Sequence, residues 1–358
     1  MTKMDSEPVD SEPVGTEVVG TEVVGTEPVG TEPISSGLVV RIGERDYHWT
    51  ETDARFGLSP GLAHQGVAAL AGGGVVTASA SGNHLVLVGA SPAPMLSAEL
   101  EITECHDMWL DNVPSEGAPS LWVADNGFKP MPTGEENEPI VDTPGRVVRL
   151  GMDGVVLQEI SAAAVAPELQ AWRPTSIAVT DDRIWVADGY GQSAVHCFTR
   201  AGELLWSKTT TTDGIRLHQP HAIAVDPRSE DVQILVADRG NRRILRLSSG
   251  GDELGSFGGD ILTSPSGFAF EGNTLWVTEL GGGLVTFDEN DVCTARYGDP
   301  TLPRSADWPN ERVDGVLVRP TLVPGTFRSP HGIAVDAAGA VHVTEWLIGG
   351  RLITLTPA

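Results

Sequence analysis

Short stretches of alternating apolar and polar residues recur along most of the chain, and Gly, Asp or Pro clusters separate them. The apolar positions are rich in Val, Ile, Leu and Trp. Their period of two is typical of half-buried strands, whereas an amphipathic helix would repeat every 3.6 residues. The pattern therefore predicts an all-β chain built from short strands and tight turns.

A unit of strand, tight turn and strand recurs six times in the sequence. Its copies begin at Ala63, Glu104, Arg173, Gln219, Ser264 and Ser329. Units of roughly 40 to 65 residues with about four strands each are typical of a β-propeller, in which no single blade buries both of its faces. We predict a six-bladed β-propeller over residues 38–358, and its repeated units resemble NHL repeats. Residues 38–42 are expected to complete the last blade beside residues 352–355.

The first 37 residues have a different composition. Residues 6–35 are six consecutive pentapeptides such as SEPVG and TEVVG, with no aromatic residue and at least one acid in each. Such a segment buries too little apolar surface to offset the entropy of ordering it. We predict a disordered acidic tail over residues 1–37, acting as a spacer or tether.

Charge and cysteine content limit the partners and the compartment. The formal net charge is -26, and nucleic-acid binding requires clustered Lys and Arg, so no nucleic-acid partner is expected. No apolar core of signal-peptide length follows a basic start, and no apolar stretch approaches membrane-spanning length, so we expect neither a secretion signal nor a membrane span. Cys105, Cys197 and Cys293 are widely spaced and predict no disulfide framework. These features predict a cytoplasmic protein without membrane contact.

The candidate chemistry lies just before the first strand of each unit. In a propeller, equivalent residues of successive blades form a ring around the central axis. The members of this ring are, in chain order, Gln65, His106, Thr175, His221, Ser266 and His331. Every second member is a histidine, so three imidazoles from alternate blades are expected to meet on the axis, about 120° apart.

Three imidazoles with an open fourth position are typical of a catalytic zinc site, although iron, cobalt or nickel accept the same ligands. The alternative is a polar channel lining that binds no metal. The other six histidines, which include His64, fall off the ring position and are expected on the surface or in packing.

An acidic residue ends the second strand of five units. These residues are Asp125, Asp188, Asp238, Glu279 and Glu345. We expect most of them to be structural and to accept backbone N–H bonds in the turn that follows. The residues after them differ. Tyr190 is a candidate general base, because a nearby cation favours the phenolate form. Arg239 is a candidate for bidentate binding of a carboxylate, and Trp346 for the floor of a pocket.

Several motifs, and their order along the chain, resemble those of the peptidyl-α-hydroxyglycine α-amidating lyases. They are the histidine of the second unit, PTSIAV with VADGY, PHAIAV with VADRGNRRI, and PHGIAV near the C-terminus. The resemblance covers the chain from about residue 104 onward. It implies a propeller lyase that cleaves the C–N bond of a carbinolamide to give glyoxylate and a primary amide.

The resemblance also implies roles for five residues. His106, His221 and His331 would bind zinc, Tyr190 would act as the base, and Arg239 would bind the carboxylate of the substrate.

Two departures from the family pattern concern the substrate and a second metal. The arginine of the first blade falls where this chain has Ser81 or a neighbour, so one contact to the substrate carboxylate is missing. The aspartate that follows the last histidine and helps to bind calcium is replaced by Gly332, so calcium is not expected.

Two function hypotheses therefore remain. The first is a zinc-dependent lyase, or one using another divalent transition metal, that acts on a small or peptide-like hydroxylated amide. The second is a non-catalytic NHL-repeat propeller that binds a protein partner through one face or through the acidic tail.

Overall fold

In a computed structural model, the chain forms six antiparallel sheets arranged around a central axis. The structure describes residues 27–28, 34–58, 61–89, 95–97, 99–111, 119–132, 137–161 and 171–358. Most of the predicted tail lies outside these ranges, so its disorder stays a prediction. The first long strand begins at Ile34 and crosses the predicted boundary at residue 38.

Within each blade, the strands follow one another from the axis outward. Blade 1 has β4 Val67–Ala69, β5 Val75–Ala78, β6 Leu85–Val88, β7 Met95–Leu96 and β1 Glu27–Pro28. Blade 2 has β8 Cys105–Asp111, β9 Ser120–Asp125, β12 Arg146–Gly151 and β13 Val156–Ser161. Blade 3 has β14 Ser176–Val179, β15 Arg183–Asp188, β16 Ala194–Thr199 and β17 Leu204–Lys208.

The other three blades follow the same order. Blade 4 has β18 Pro220–Val225, β19 Gln233–Asp238, β20 Arg243–Ser248 and β21 Glu253–Phe257. Blade 5 has β22 Pro265–Glu271, β23 Thr274–Glu279, β24 Gly283–Phe287 and β25 Cys293–Gly298. Blade 6 has β28 Pro330–Val335, β29 Val341–Glu345, β30 Leu352–Pro357, β3 Arg45–Thr52 and β2 Ile34–Ile42.

Within the described residues, two hairpins and one short helical turn lie outside the blades. The hairpins are β10 Phe128–Pro132 with β11 Asn137–Asp142, and β26 Glu311–Val313 with β27 Val316–Val318. The 3-10 turn is Arg239–Asn241. No helix within the described ranges is long and apolar enough to cross a membrane.

The inner strands form a closed ring, which confirms the predicted six-bladed propeller. Strands β4, β8, β14, β18, β22 and β28 contact one another in this order, and β28 contacts β4. The apolar core lies between blades: Trp122 of blade 2 packs with blade 3, and Trp276 of blade 5 packs with blade 6. Each sheet therefore buries its faces only against its neighbours, as the repeat pattern predicts.

Blade 6 joins the two ends of the described chain. Strand β3 pairs with β30 from Tyr47↔Pro357 to Thr52↔Leu352, and β2 pairs only with β3. The expectation that residues 38–42 lie beside residues 352–355 was therefore wrong, because β3 lies between them. Tyr47 and Trp49 are buried, whereas Val39 of β2 is exposed. The buried aromatic residues therefore lie on β3, the inner of the two strands.

Arg351 ties this closure together. Its side chain is 2% exposed, and its guanidinium binds Glu345 Oε2 at 2.7 Å, Glu51 Oε1 at 3.0 Å and the Thr326 carbonyl at 2.7 Å. Glu345 belongs to β29 and Glu51 to β3, so the guanidinium links C-terminal and N-terminal strands.

We expect Arg351→Ala to destabilise the propeller by about 3–5 kcal/mol, because it leaves the buried Glu345 carboxylate without its cation. Urea unfolding of the two proteins measures the difference. Arg41→Ala, which removes an exposed pair with Asp46, is the control and should leave the unfolding midpoint unchanged. Equal midpoints for wild type and Arg351→Ala would contradict the prediction.

Candidate metal centre

The three ring-position histidines, His106, His221 and His331, lie at β-bulges in the inner strands. The pairing of β8 with β9 skips His106, while the pairings of β18 and β28 each skip two residues, including His221 and His331. A bulge adds an unpaired residue that bends the strand and changes the direction of its side chain. The same irregularity in three blades thus turns three imidazoles towards the axis.

The acidic residues at the ends of the second strands fix the approach to these bulges. Asp125 accepts bonds from Glu104 N at 3.0 Å and from Gly127 N, and Glu345 accepts one from Ser329 N at 3.2 Å. Asp188, Asp238 and Glu279 make equivalent bonds. In each of these five blades, one of the backbone donors lies two or three residues before the ring position. The predicted structural role is therefore confirmed, but the predicted location holds only in part. Among the described residues, only Asp125 and Asp188 also accept backbone N–H bonds from the turn that follows them. The second strand runs antiparallel to the first and ends beside its start, so the other donors precede the first strand.

His106, His221 and His331 converge on the axis. Their ring centroids are 4.7 Å to 5.0 Å apart, and each residue is at most 2% exposed. The structure therefore brings together the three histidines that the repeat singles out, although their role as metal ligands stays a prediction.

Each of these imidazoles is held by a backbone carbonyl of the next blade. The Nδ1 atom lies 2.6 Å from Thr175 O in His106, 2.7 Å from Ser266 O in His221 and 3.3 Å from Gln65 O in His331. A carbonyl only accepts, so Nδ1 carries the proton and Nε2 keeps its lone pair. Metal-binding histidines commonly have this arrangement.

The ring residues between the histidines complete this set of bonds. Thr175 Oγ1 donates to Pro220 O at 3.0 Å, and Ser266 Oγ donates to Pro330 O at 3.0 Å. From blade 2 to blade 6, histidine and hydroxyl residues alternate at the ring position, and the side chain of each bonds to a backbone carbonyl of the following blade. Blade 1 differs, since both polar atoms of the Gln65 side chain are buried without a hydrogen-bond partner among the described residues.

A fourth histidine lies in the same cluster, and sequence reasoning missed it. Ligand nitrogens of His64, His106, His221 and His331 all lie within 4.8 Å of one another. The expectation that His64 belongs to the surface or to general packing was wrong. Its copy of the repeat is the loosest, and His64 stands one residue before the ring position. The available signal was that His64 directly precedes Gln65, the ring residue of blade 1.

Burial keeps the four imidazoles neutral. It lowers the pKa of His64, His106 and His221 well below the usual value, and lowers that of His331 to about 3. The positive charge of Arg239 adds to this effect for His221 and His331. Neutral imidazole is the form that binds a metal.

Tyr190 and Arg239 lie beside the cluster, as the sequence suggests. The Tyr190 hydroxyl is 3.1 Å from His221 Nε2 and 3.2 Å from His64 Nε2. The Arg239 guanidinium carbon lies 5.5 Å from the centre of the Tyr190 ring. Its Nη1 is buried and has no hydrogen-bond partner among the residues that the structure describes. This donor remains available for a ligand.

A cavity of about 550 Å³ opens onto this group. Tyr190, Arg239, His64, Trp346 and Arg173 are among its lining residues. Trp346 thus lines a pocket, as expected, and its ring centroid lies 5.7 Å from that of His64.

Arg173 is a second arginine in the wall of this cavity, and the sequence analysis did not single it out. Its Nη1 donates to Asn126 O at 2.9 Å and Thr143 O at 2.7 Å, and its Nη2 binds Asp142. Ser81, at the place of the family's first-blade arginine, does not line this cavity. Arg173 is on blade 3, so no comparison within blade 1 would have found it.

Gly332 has no room for the side chain that the family carries at this position. A Cβ there would lie 2.8 Å from Thr344 Oγ1 and 3.1 Å from Gln65 O. Thr344 Oγ1 is fixed by its bonds to Gly332 N and Gln65 O. A carboxylate at position 332 would require this backbone to move.

The cluster fits a metal ion by three observations. The nitrogens are close together, the imidazoles are neutral, and the buried Nε2 atoms of His106 and His331 have no hydrogen-bond partner within the described part of the chain. Buried polar atoms without partners are rare, and a bound ion is one of their ordinary explanations. The group of four histidines could therefore hold a metal.

Comparison with known proteins supports the resemblance to the amidating lyases over part of the chain. Peptidyl-α-hydroxyglycine α-amidating lyase 2 of Drosophila melanogaster is 31% identical over 182 residues, which are 48% of this chain and 39% of that protein. The match thus spans about two fifths of the relative's length. No protein-family model matches the chain.

Solved structures with the same fold include several named enzymes. A streptogramin B lyase is 13% identical with a TM-score of 0.56 over 87% of this chain and 98% of that one. Virginiamycin B lyase from Staphylococcus aureus is 15% identical with a TM-score of 0.52 over 87% and 99%. A gluconolactonase from Xanthomonas campestris is 13% identical with a TM-score of 0.53 over 93% and 97%. At these identities the likeness concerns the fold alone.

Proposed function

We propose that this propeller is a metal-dependent lyase that cleaves the C–N bond of a small carbinolamide bearing a carboxylate. The observation that carries the proposal is the Tyr190 hydroxyl within 3.2 Å of two imidazoles of a buried, neutral histidine cluster. The amidating lyase from Drosophila melanogaster supports the same reaction class.

The histidines would hold a divalent metal through the nitrogens that face the axis. Zinc is the metal that the resemblance implies, and imidazole ligands alone do not distinguish it from iron, cobalt or nickel. When bound, such a metal would supply Lewis-acid activation of a hydroxyl group.

Tyr190 would take the proton of the substrate hydroxyl. The oxygen's electron pair then forms a carbonyl, and the C–N bond breaks with its electron pair moving to nitrogen. The nitrogen takes up a proton, which Tyr190 would return. The products are glyoxylate and a primary amide, so atoms and charge balance without a further reactant.

Arg239 would orient the substrate through its carboxylate. Its buried Nη1 has no partner among the described residues, and hydrogen bonds between a guanidinium and a carboxylate are among the strongest in proteins. The cavity wall carries Arg173 and Arg239 against the single carboxylate of Asp142. This balance leaves one positive charge, which favours a small anion.

We expect the purified protein to release glyoxylate from an N-acyl-α-hydroxyglycine. Arg239→Gln should raise KM about tenfold or more and change kcat less, because the lost contact binds the carboxylate in both ground and transition states. Glyoxylate formation over a range of substrate concentrations measures both constants.

Arg183→Gln is the matched control, since Arg183 pairs with Asp182 away from the cavity and its loss should not change KM. A metal-containing protein that never releases glyoxylate would contradict the lyase proposal. A metal-free protein without turnover would instead favour the alternative of a protein-binding scaffold.

A further inference from the structure

We propose that His64 is a fourth ligand of the metal centre and that the centre is built for a five- or six-coordinate metal, such as iron(II), cobalt(II) or nickel(II), in preference to tetrahedral zinc. This inference rests on the metal centre of the proposed function. It concerns the ligand set and geometry, and it does not depend on which reaction the centre catalyses.

The four rings come from blades 1, 2, 4 and 6. Blade 1 neighbours blades 2 and 6 and stands across the axis from blade 4. Accordingly, the centroid of His64 is 4.3 Å from that of His106 and 4.4 Å from that of His331, but 6.5 Å from that of His221. His64 and His221 therefore face each other across the axis.

These separations do not fit a tetrahedron. Four imidazoles around a tetrahedral ion have six equal distances between their ring centroids. In this cluster five of the centroid distances lie between 4.3 Å and 5.0 Å, and the sixth, between His64 and His221, is 6.5 Å. One opposite pair and five neighbouring pairs is the pattern of four ligands in an octahedron with two adjacent positions left free. Structural zinc sites are almost always four-coordinate and tetrahedral, and catalytic zinc sites have three protein ligands with the fourth position open. Four imidazoles would therefore leave no open position on a tetrahedral zinc.

The surroundings hold His64 in this position. The residue is 9% exposed, and its ring packs against Trp346 with the centroids 5.7 Å apart. The Tyr190 hydroxyl lies between the opposite imidazoles, 3.2 Å from His64 Nε2 and 3.1 Å from His221 Nε2. Tyr190 therefore sits beside the centre without replacing any of the four rings.

Cobalt(II) is the probe that tests the inference, because six-coordinate cobalt absorbs visible light weakly and four-coordinate cobalt absorbs it strongly. We expect weak absorption from the wild-type cobalt protein, and an X-ray absorption spectrum that fits four imidazole ligands. His64→Ala should strengthen the visible absorption severalfold. It should also weaken cobalt binding at least about tenfold, since even loss of a residue that only orients a ligand costs about 10- to 100-fold.

His48→Ala is the control, because His48 is exposed on β3 and should leave absorption and affinity unchanged. Thermal unfolding checks that both variants are folded, and the wild-type X-ray absorption spectrum counts the ligands without any substitution. Three imidazoles in that spectrum, or unchanged cobalt binding by folded His64→Ala, would overturn the inference while leaving the proposed lyase intact. Four imidazoles in a protein that releases no glyoxylate would keep the inference and refute the lyase.

Discussion

Replacing His221 with alanine is expected to remove the bound metal and to lower kcat/KM at least about 10³-fold. His221 is 1% exposed, its Nδ1 is held by Ser266 O, and its Nε2 lies 3.1 Å from the Tyr190 hydroxyl. The substitution thus removes a ligand and a contact of the proposed base together. Lewis-acid activation is worth several kcal/mol, and each 1.36 kcal/mol of barrier is a factor of ten in rate.

Metal analysis of the purified variant and its kcat/KM for an N-acyl-α-hydroxyglycine measure the two effects. His196→Ala is a demanding control, because His196 is also buried but bonds to Ser207 Oγ at 2.7 Å on the outer strands of blade 3. It should keep the wild-type metal content. A metal affinity in His221→Ala equal to that of the wild type would exclude this residue as a ligand, and absence of metal from the wild type would refute the metal centre.

Tyr190→Phe should lower kcat about 10²- to 10⁴-fold and leave the metal bound, which is the usual range for loss of a general acid or base. Only the hydroxyl is removed, so the ring keeps its packing against His64 and Arg239. Steady-state kinetics and metal analysis of the same preparation separate the two outcomes.

Tyr297→Phe serves as the comparison, since Tyr297 is on the outermost strand of blade 5, its hydroxyl donates to Gly325 O, and it does not line the cavity. It should not change kcat. Full activity of Tyr190→Phe would show that another group moves the proton, whereas loss of metal would assign Tyr190 a role in the ligand set.

The repeat made the fold and three of the cluster residues predictable. Equivalent positions in a cyclic repeat must lie at the same height around the axis, so the spacing of His106, His221 and His331 was enough to bring them together. The carbonyls that orient them were not predictable. Each belongs to the next blade, 69 residues away for His106 and 45 for His221, and a backbone oxygen leaves no trace in the sequence.

The residues that were missed fall outside the repeat's regularity. His64 is one position off the ring in the most divergent unit, and alternation along an ideal strand would have turned it away from its neighbours. Arg173 reaches the cavity from blade 3 through contacts to Asn126 and Thr143 of blade 2. Strand β3 was missed in the closing blade because two alternating segments at the N-terminus fit the same place.

The hydrogen bonds from each imidazole to the following blade have a mechanical consequence. Blades in a propeller touch only their neighbours, so separation of one pair of blades is opposed only locally. Ligands from blades 2, 4 and 6 that bind one ion would link blades that do not touch each other. His331 would include blade 6, where the two ends of the chain join. Opening of that joint would then pull directly on the centre, so the same ion would serve both as reaction centre and as hub of the ring.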